Sequence, residues 1–103
     1  MGIFRKLFGL GPKVDFKDLV AKGAIILDVR TKGEFSGGHL EKAINMPLDT
    51  VATKCSKFKK EQVIITCCAS GMRSANARQI LRSKGYENVY NGGGWRNLKG
   101  RLM

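Results

Sequence analysis

Two uninterrupted apolar runs constrain the fold of this chain more than any other feature of its sequence. Ala24–Val29 reads AIILDV and Val63–Cys67 reads VIITC, and neither run alternates apolar with polar residues. Runs of this kind are typical of strands that are buried on both faces of a parallel sheet. Because such a sheet must be covered by helices on each side, the two runs predict an α/β fold.

The segments around these runs have helical or short-strand patterns. Helices are predicted over residues 15–22, 48–58 and 74–84, with single helical turns near Glu34–Phe35 and over residues 95–98. Short strands are predicted over residues 43–46 and 88–91, and the three glycines at 92–94 are interpreted as a flexible turn. This alternation predicts parallel strands joined by right-handed crossovers. Ligands of such sheets lie beyond the carboxyl ends of the strands, so the residues after Val29 and Cys67 are the candidates for function.

Length and charge narrow the class of protein further. A chain of 103 residues can form one modest core and is too short for a second independent domain. Lys and Arg number 19 against 8 Asp and Glu, a net charge of +11 that attracts anions of any kind. The basic residues have no interleaved aromatic platform, so nucleic-acid binding is not expected. No apolar stretch approaches the ~20 residues of a membrane span, and we expect a monomer without an integral membrane segment.

The amino-terminal residues are set apart from the rest by their pattern. Residues 1–12 are predicted to form a flexible extension ahead of a single domain over residues 13–103. They contain no sustained apolar region and no small-residue cleavage site, which favours a cytoplasmic location with the three cysteines kept as thiols. Weak contact with a membrane or partner through Phe4, Leu7 and Phe8 is the alternative role for this extension.

The segment that follows the second apolar run has the composition of an anion-binding loop. Its small residues Ala69, Ser70 and Gly71 allow successive backbone N–H groups to point inward. The start of the next helix adds partial positive charge, and Arg73 adds a cation. A cysteine at the mouth of such a loop is expected to have a lowered pKa and to be present as the nucleophilic thiolate. Cys68 is therefore the candidate nucleophile.

Cys67 is the alternative nucleophile. It precedes Arg73 with five residues between them, which is the spacing of cysteine-dependent phosphatases. However, Cys67 ends the predicted strand, where a side chain is more often buried in the core. Those phosphatases also usually have a glycine three residues after the nucleophile, and Gly71 lies three residues after Cys68. We therefore favour Cys68, although two buried cysteines beside an ordinary glycine turn would be the purely structural interpretation.

The loop Cys68–Ser74 resembles the active-site loop of single-domain rhodaneses, the thiosulfate sulfurtransferases. Further motifs extend the resemblance over about Val14 to Leu98: DVRT at 28–31, EF at 34–35, GHL at 38–40, AINMPL at 43–48, GYENVY at 85–90 and GGW at 93–95. The resemblance implies a three-layer rhodanese-like fold. Its central, mostly parallel sheet would have about five short strands, with helices on both faces.

The resemblance also implies a two-step sulfur transfer. Cys68 would take sulfane sulfur from thiosulfate or another donor, hold it as a persulfide, and pass it to cyanide or to a small-molecule or protein thiol. The substrate-binding residues would be Ala69, Ser70, Gly71, Met72 and Arg73, and no metal or organic cofactor is implied. A sulfur carrier without turnover, or a module that docks a partner, is the alternative. A cysteine phosphatase or arsenate reductase is less favoured, because the six-residue loop is expected to be one residue too short to surround phosphate.

Supporting roles follow for residues on the same rim of the sheet. Asp28 could accept hydrogen bonds from the loop and Arg30 could steer an anion, or the two could form a structural ion pair. Glu34 could pair with Arg73 or Arg30 and hold the loop in shape. Ser74, directly after Arg73, is counted with these supporting residues.

The remaining distinctive side chains are expected to be structural. His39 is interpreted as scaffold, Trp95 as a core residue rather than a wall of the pocket, and Cys55 as a buried, inert thiol. Met72 and Ala69 stand where many rhodaneses have polar or basic residues, so weak thiosulfate binding is expected.

Overall fold

Four parallel strands form the central sheet of the computed structural model, which describes residues 14–103. They are β1 (Ile25–Asp28), β2 (Ile44–Asn45), β3 (Ile64–Cys68) and β4 (Val89–Gly94), in the order β2-β1-β3-β4. Each strand overlaps a segment predicted as a strand, so the α/β expectation is confirmed with four strands in the described part rather than about five. The predicted extension at 1–12 lies outside the described residues.

The helices connect and cover these strands. They are α1 (Phe16–Ala21), α2 (Lys32–Ser36), α3 (Val51–Lys54), α4 (Met72–Ser83) and α5 (Trp95–Leu102). The Asp15 carboxylate caps α1 by accepting the Asp18 N–H at 3.0 Å. The helix predicted over 48–58 forms instead as α3 between two short 3₁₀ turns, Leu48–Thr50 and Cys55–Lys57. None of the described helices is long and apolar enough to cross a membrane.

The sheet separates two apolar clusters, which gives the predicted three layers. One face of the sheet packs against α3 and α4, and its cluster includes Ile64, Cys68 and Leu81. The opposite face packs against α1 and α5, and its cluster includes Ile65 and Cys67. Successive side chains of a strand point to opposite faces. The two adjacent cysteines that end β3 therefore lie on different sides of the sheet.

The lysine-rich segment at 57–60 precedes β3 and so lies at the amino end of the sheet. Lys60 is fixed there by donating a hydrogen bond to the carbonyl of Lys84, just beyond α4, and by stacking over the Tyr86 ring with 4.5 Å between Nζ and the ring centroid. The loop after Cys68 lies at the carboxyl end of β3, where α4 begins. Since the 12 residues of α4 rise by roughly 18 Å between these two ends, the lysines and the cysteine loop occupy opposite ends of the molecule.

Candidate active site

The loop between β3 and α4 is folded around the sulfur of Cys68. The Sγ atom accepts the N–H of Gly71 at 3.0 Å and the N–H of Ser74 at 3.3 Å. Gly71 has a φ of 111°, in the left-handed region that side chains other than glycine's rarely adopt. This conformation turns the chain sharply enough to aim backbone N–H groups at the sulfur, as the small residues of the loop predict.

The Ser74 hydroxyl is the second group beside the sulfur, and Asn91 holds it there. Ser74 Oγ lies 3.5 Å from Cys68 Sγ, 3.0 Å from the Gly71 carbonyl and 2.6 Å from Asn91 Oδ1. Asn91 Oδ1 also accepts the N–H of Gly93 at 2.9 Å, which sets the orientation of the amide. The proton of the Ser74 hydroxyl has several acceptors within reach. The hydroxyl can therefore accept a hydrogen bond from a Cys68 thiol or donate one to a Cys68 thiolate.

Sequence reasoning did not identify Asn91 as part of this site. The signal was available, since Asn91 is the last residue of the strand predicted over 88–91, and in the structure it pairs with Thr66 of β3. The rule that directs attention to residues after β1 and β3 applies equally to their neighbour β4.

Burial and hydrogen bonding oppose each other at Cys68. Burial raises the pKa of this thiol, whereas hydrogen bonds from the Ser74 hydroxyl and from the backbone N–H groups of Ser74, Gly71 and Ser70 lower it. The hydrogen bonds prevail, so the pKa of Cys68 lies below its ordinary value of 9.0. A larger share of Cys68 is therefore thiolate at neutral pH than in an unperturbed cysteine.

Cys67 has the opposite chemistry. Its side chain is fully buried in the cluster under α5. That burial, reinforced by the nearby Asp28 carboxylate, raises the pKa of the Cys67 thiol to about 12. Cys67 is thus protonated at neutral pH and faces away from the loop that binds the Cys68 sulfur, which disfavours the phosphatase-like spacing from Cys67 to Arg73.

Glu34 and Arg73 form the ion pair that the sequence predicts as one of two options. The Arg73 guanidinium donates to both carboxylate oxygens of Glu34, at 2.7 and 2.9 Å. This pairing, with hydrogen bonds from Thr31, lowers the pKa of Glu34 to about 2. Thr31 and Glu34 also form a capping box at the start of α2. The pair therefore ties α2 to the first turn of α4 and keeps the positive charge of Arg73 compensated.

Asp28 and Arg30 are bound to each other rather than to the cysteine loop. The Asp28 carboxylate is fully buried and accepts Nε of Arg30 at 3.0 Å and NH2 at 2.7 Å. NH2 also donates to the Gly38 carbonyl at 2.8 Å, and the guanidinium lies 4.8 Å from the centroid of the Trp95 ring. These contacts favour the structural ion pair over the steering of an anion by Arg30, because the guanidinium is buried and its Nε and NH2 donors are occupied.

The glycines predicted as a flexible turn are instead the second half of β4. Gly94 pairs with Cys68 across an irregular register between β3 and β4. A Cβ atom on Gly94 would lie 2.8 Å from the Ala69 carbonyl oxygen, closer than real Cβ contacts allow. The turn interpretation was wrong. The glycines here permit close packing of β4 against the cysteine loop, and glycines with that role have the same sequence signal as the glycines of a turn.

The other expected scaffold residues are placed as structural. His39 stacks on Phe35 with 3.7 Å between ring centroids, and its Nδ1 lies 2.8 Å from the Phe35 carbonyl. Trp95 is buried under the sheet with Leu98, which confirms core packing. Cys55 is buried on the Cys68 side of the sheet and forms no disulfide.

The outer edge of the loop contrasts with its floor. Only 1% of Cys68 is exposed, whereas Met72 is 77% exposed. Ala69 and Ser70 are exposed as well. A group that reaches the sulfur must therefore be slender, and the exposed residues of the loop are two small residues and one large apolar residue.

Known proteins resemble this chain over most of its length. The chain is 32% identical over 80 residues to the uncharacterized protein YqhL of Bacillus subtilis, an alignment that covers 77% of this chain and 64% of YqhL. It is 30% identical over 70 residues to thiosulfate sulfurtransferase GlpE of Shewanella oneidensis, covering 68% of this chain and 69% of GlpE. The chain thus spans less than two thirds of the Bacillus relative.

A solved structure and a family model identify the fold. The human single-domain sulfurtransferase TSTD1 superimposes with a TM-score of 0.75 and 27% sequence identity, over 87% of this chain and 96% of TSTD1. The family model of the rhodanese-like domain matches residues 13–100. This match, together with the parallel sheet and the cysteine loop at its carboxyl end, shows that the chain belongs to the rhodanese-like domain family.

Proposed function

We propose that this protein is a sulfurtransferase that carries sulfane sulfur on Cys68. The observation that carries the proposal is the Cys68 sulfur itself, which accepts the N–H of Gly71 within the six-residue loop at 68–73 and the N–H of Ser74 directly after it. The GlpE relative, a thiosulfate sulfurtransferase, supports the assignment. Thiosulfate or another sulfane-sulfur compound is the donor, and cyanide or a thiol is the acceptor.

The reaction has two displacement steps. In the first, the Cys68 thiolate attacks the outer sulfur of thiosulfate, so that an S–S bond to Cys68 forms. The bond between that sulfur and the SO₃ group breaks, and sulfite leaves with the bonding electron pair. In the second step, cyanide attacks the outer sulfur of the persulfide, thiocyanate leaves, and the Cys68 thiolate is restored. A thiolate acceptor reacts in the same way and leaves as a persulfide.

The loop residues Ala69–Arg73 provide the cradle for the outer, anionic sulfur of the persulfide. The N–H groups of Met72 and Arg73 are the first of α4 and have no partner among the loop and turn hydrogen bonds of residues 14–103. At a helix start such groups attract an anion, and fixed donors of this kind stabilise charge without reorganising. Ser74 supports the nucleophile by donating to it, and Glu34 holds Arg73 in place.

Intact-mass measurement after incubation with thiosulfate tests this proposal. We expect a gain equal to one sulfur atom that is lost on adding cyanide and absent from Cys68→Ser. Cys67→Ser is the matched control, since it changes the neighbouring thiol on the other face of the sheet, and it should still gain sulfur. Gain by Cys68→Ser but not by Cys67→Ser would reverse the assignment. Hydrolysis of an aryl phosphate without sulfur uptake would support a phosphatase instead.

We also propose that the protein is a monomer and that it is located in the cytoplasm. A carrier that receives sulfur from a protein donor would load from that donor and gain little sulfur from free thiosulfate.

A further inference from the structure

A cavity separate from the cysteine loop lies on the side of the sheet that α1 and α5 cover. It has a volume of about 580 Å³ and is bounded by α1, the start of β1 and the end of α5. Its lining includes Ile26 and Leu40, which belong to the buried apolar cluster of this face, and the more exposed Val20 and Leu102. Mostly apolar cavities of ~300–1,000 Å³ are typical of sites for small ligands.

The cavity lies beside the part of β1 that β2 does not reach. β2 has two residues, and they pair with the last two residues of β1. In the described part of the chain, Ile25 and Ile26 therefore have no strand on that side, and the turn at Glu41 and Lys42 contributes to the lining instead. Lys42 has a φ of 68°, in the left-handed region that a side chain of this size rarely adopts.

The charged residues that line the cavity are mostly positive. Lys17, Lys42 and Lys99 accompany one acid, Glu41, so these four exposed side chains have a summed charge of +2. The ion pairs found among residues 14–103 involve other cations, so none of the three lysines has a carboxylate partner there. An apolar cavity with uncompensated ammonium groups at its solvent side complements a ligand that has an apolar body and an anionic end.

We propose that this cavity binds the anion of a single-chain fatty acid. The alkyl chain lies against the apolar residues of α1, β1 and α5, and the carboxylate lies among the three lysines. Exposed ion pairs contribute little, whereas every methylene removed from water contributes, so the chain supplies most of the affinity and the lysines orient the ligand.

This site is distinct from the cysteine loop. Ile25 of β1 pairs with Ile64, which precedes Cys68 by four residues along β3, a separation of roughly 13 Å at ~3.3 Å per residue. Cys68 also belongs to the apolar cluster on the opposite face of the sheet. Binding of a fatty acid therefore requires neither the Cys68 thiolate nor sulfur transfer, and the inference goes beyond the proposed function.

Titration of the isotope-labelled full chain, followed by its amide NMR shifts, tests the inference. Octanoate and decanoate are added below their micellar concentrations. We expect saturable shifts in α1, the start of β1 and α5, with decanoate binding about tenfold more tightly because two further methylenes leave water. Decylammonium has the same chain with the opposite charge and should bind about fivefold more weakly than decanoate. Cys68→Ser should bind decanoate as the wild type does.

Substitution of the lysines tests the contact with the carboxylate. Lys17→Gln should weaken decanoate binding about two- to fivefold, the effect of an exposed ion pair. Lys22→Gln is the matched control, because Lys22 directly follows the same helix, pairs with Asp18 at 3.0 Å and does not line the cavity. Lys42→Asn should weaken binding like Lys17→Gln while it retains the fold, since asparagine adopts the left-handed conformation more readily than lysine.

Substitution of Val20 tests the contact with the alkyl chain. Val20 is 36% exposed, so α1 tolerates a polar side chain at this position. Val20→Glu should weaken decanoate binding by about tenfold or more, because a carboxylate replaces an apolar part of the lining. Ala52→Glu is the matched control, since it places the same side chain at an exposed position of α3 on the other side of the sheet, and it should bind decanoate normally.

Three results would overturn the inference. The first is the absence of saturable decanoate binding, which would also follow if another part of the chain or a second copy filled the cavity. The second is decanoate binding that Val20→Glu leaves unchanged, or that decylammonium equals. The third is cosedimentation with anionic phospholipid vesicles without binding of monomeric decanoate, which would make this face a membrane contact instead. None of these results affects sulfur gain by Cys68, so the proposed function is tested separately.

Discussion

The chemistry of Cys68 depends on hydrogen-bond donors rather than on a neighbouring free cation. Its sulfur is surrounded by the N–H groups of Gly71 and Ser74 and by the Ser74 hydroxyl, which Asn91 holds in position. Fixed dipoles of this kind stabilise a thiolate without attracting a counter-ion, and they would stabilise the proposed persulfide in the same way. The reactivity of the site is therefore set by a few residues of one loop and one strand.

Removal of the Ser74 hydroxyl should raise the pKa of Cys68. Ser74→Ala removes a donor to the thiolate, whereas the thiol loses only an acceptor for its weak S–H donor, so the pH at which the thiolate appears moves upward. A hydrogen bond to a charged group corresponds to a shift of about 1 to 2 pH units. The far-ultraviolet absorbance of the thiolate, followed against pH, measures this shift directly.

Ser83→Ala is the matched control for that experiment. Its hydroxyl donates to the Ile80 carbonyl at the far end of the same helix. We expect the titration of Cys68 to be unchanged in this variant. An unchanged titration in Ser74→Ala as well would contradict the role given to the hydroxyl.

Cys67 should make the protein less stable in alkali. Its pKa is raised from 9.0 to about 12 in the folded protein, so between these pH values the unfolded chain loses a proton that the folded chain keeps. The stabilisation is therefore complete below about pH 9 and declines as pH rises toward the folded pKa. Each pH unit in this window costs at most about 1.4 kcal/mol of the free energy of unfolding.

Denaturant unfolding at several alkaline pH values measures this effect. The free energy of unfolding should fall more steeply with pH for the wild type than for Cys67→Ala, which has no thiol to ionise at position 67. The comparison uses slopes, so the cavity left by the smaller side chain does not affect it. Equal slopes would show that Cys67 does not ionise differently in the two states.

At the level of elements, β4 supports the cysteine loop as much as β3 does. Gly94 lies against Ala69, and Asn91 and Gly93 of the same strand form the contacts that orient Ser74. The strand can approach the loop this closely because it has no side chain at position 94. β4 is thus part of the site although it contributes no nucleophile.

Gly94→Ala should damage the loop without straining the backbone of β4. Gly94 has a φ of −67°, which alanine adopts freely, so the predicted effect comes only from the 2.8 Å contact with the Ala69 carbonyl. We expect a loss of about 1 to 3 kcal/mol in the free energy of unfolding, as in overpacked cores. Sulfur loading should slow in the same variant because Ala69 is displaced.

Gly100→Ala makes the same substitution where there is space. A Cβ atom on Gly100 meets nothing within 4 Å and lies within α5. We expect this variant to gain about 0.5 to 1 kcal/mol in stability, since alanine favours a helix, and to load sulfur normally. If Gly94→Ala and Gly100→Ala changed stability and sulfur loading equally, the contact with Ala69 would not explain the loss in Gly94→Ala.

The parts of the site predicted from sequence are those with a local signal. The apolar runs identified β1 and β3, and the position of Gly71 relative to Cys68 favoured the cysteine whose sulfur does receive the Gly71 N–H. The glycines at 92–94 were misread because a close approach between two segments is a tertiary property. Asn91 was missed for the same reason, since its partner Ser74 is 17 positions away.

At the scale of the whole molecule, part of the positive charge lies far from the cysteine loop. Lys57, Lys59 and Lys60 lie before β3, at the end opposite the cysteine loop. The two ends are separated by more than the ~10 Å over which charges act at 0.1 M salt. The net charge of +11 therefore overstates the field that an anionic donor meets near Cys68.

Neutralising the distant lysines should leave sulfur transfer almost unchanged. We expect Lys57→Gln combined with Lys59→Gln to keep kcat/KM for thiosulfate within about twofold of the wild type at 0.1 M salt, because screening removes their influence at that distance. Initial rates of thiocyanate formation measure this. A large loss of rate that returns at lower ionic strength would indicate long-range steering from that end.

The placement of Cys67 and Cys68 on opposite faces of one strand has a practical consequence. All three thiols are buried, but the hydrogen bonds to Cys68 favour its reactive thiolate, so a small alkylating reagent should react there first, while Cys67 and Cys55 are enclosed in separate apolar clusters. In the folded state the molecule should thus behave as a single-thiol protein despite its three cysteines. The thiols of Cys55 and Cys67 become available to the reagent only when the helices separate from the sheet, so the number of labels per molecule reports unfolding.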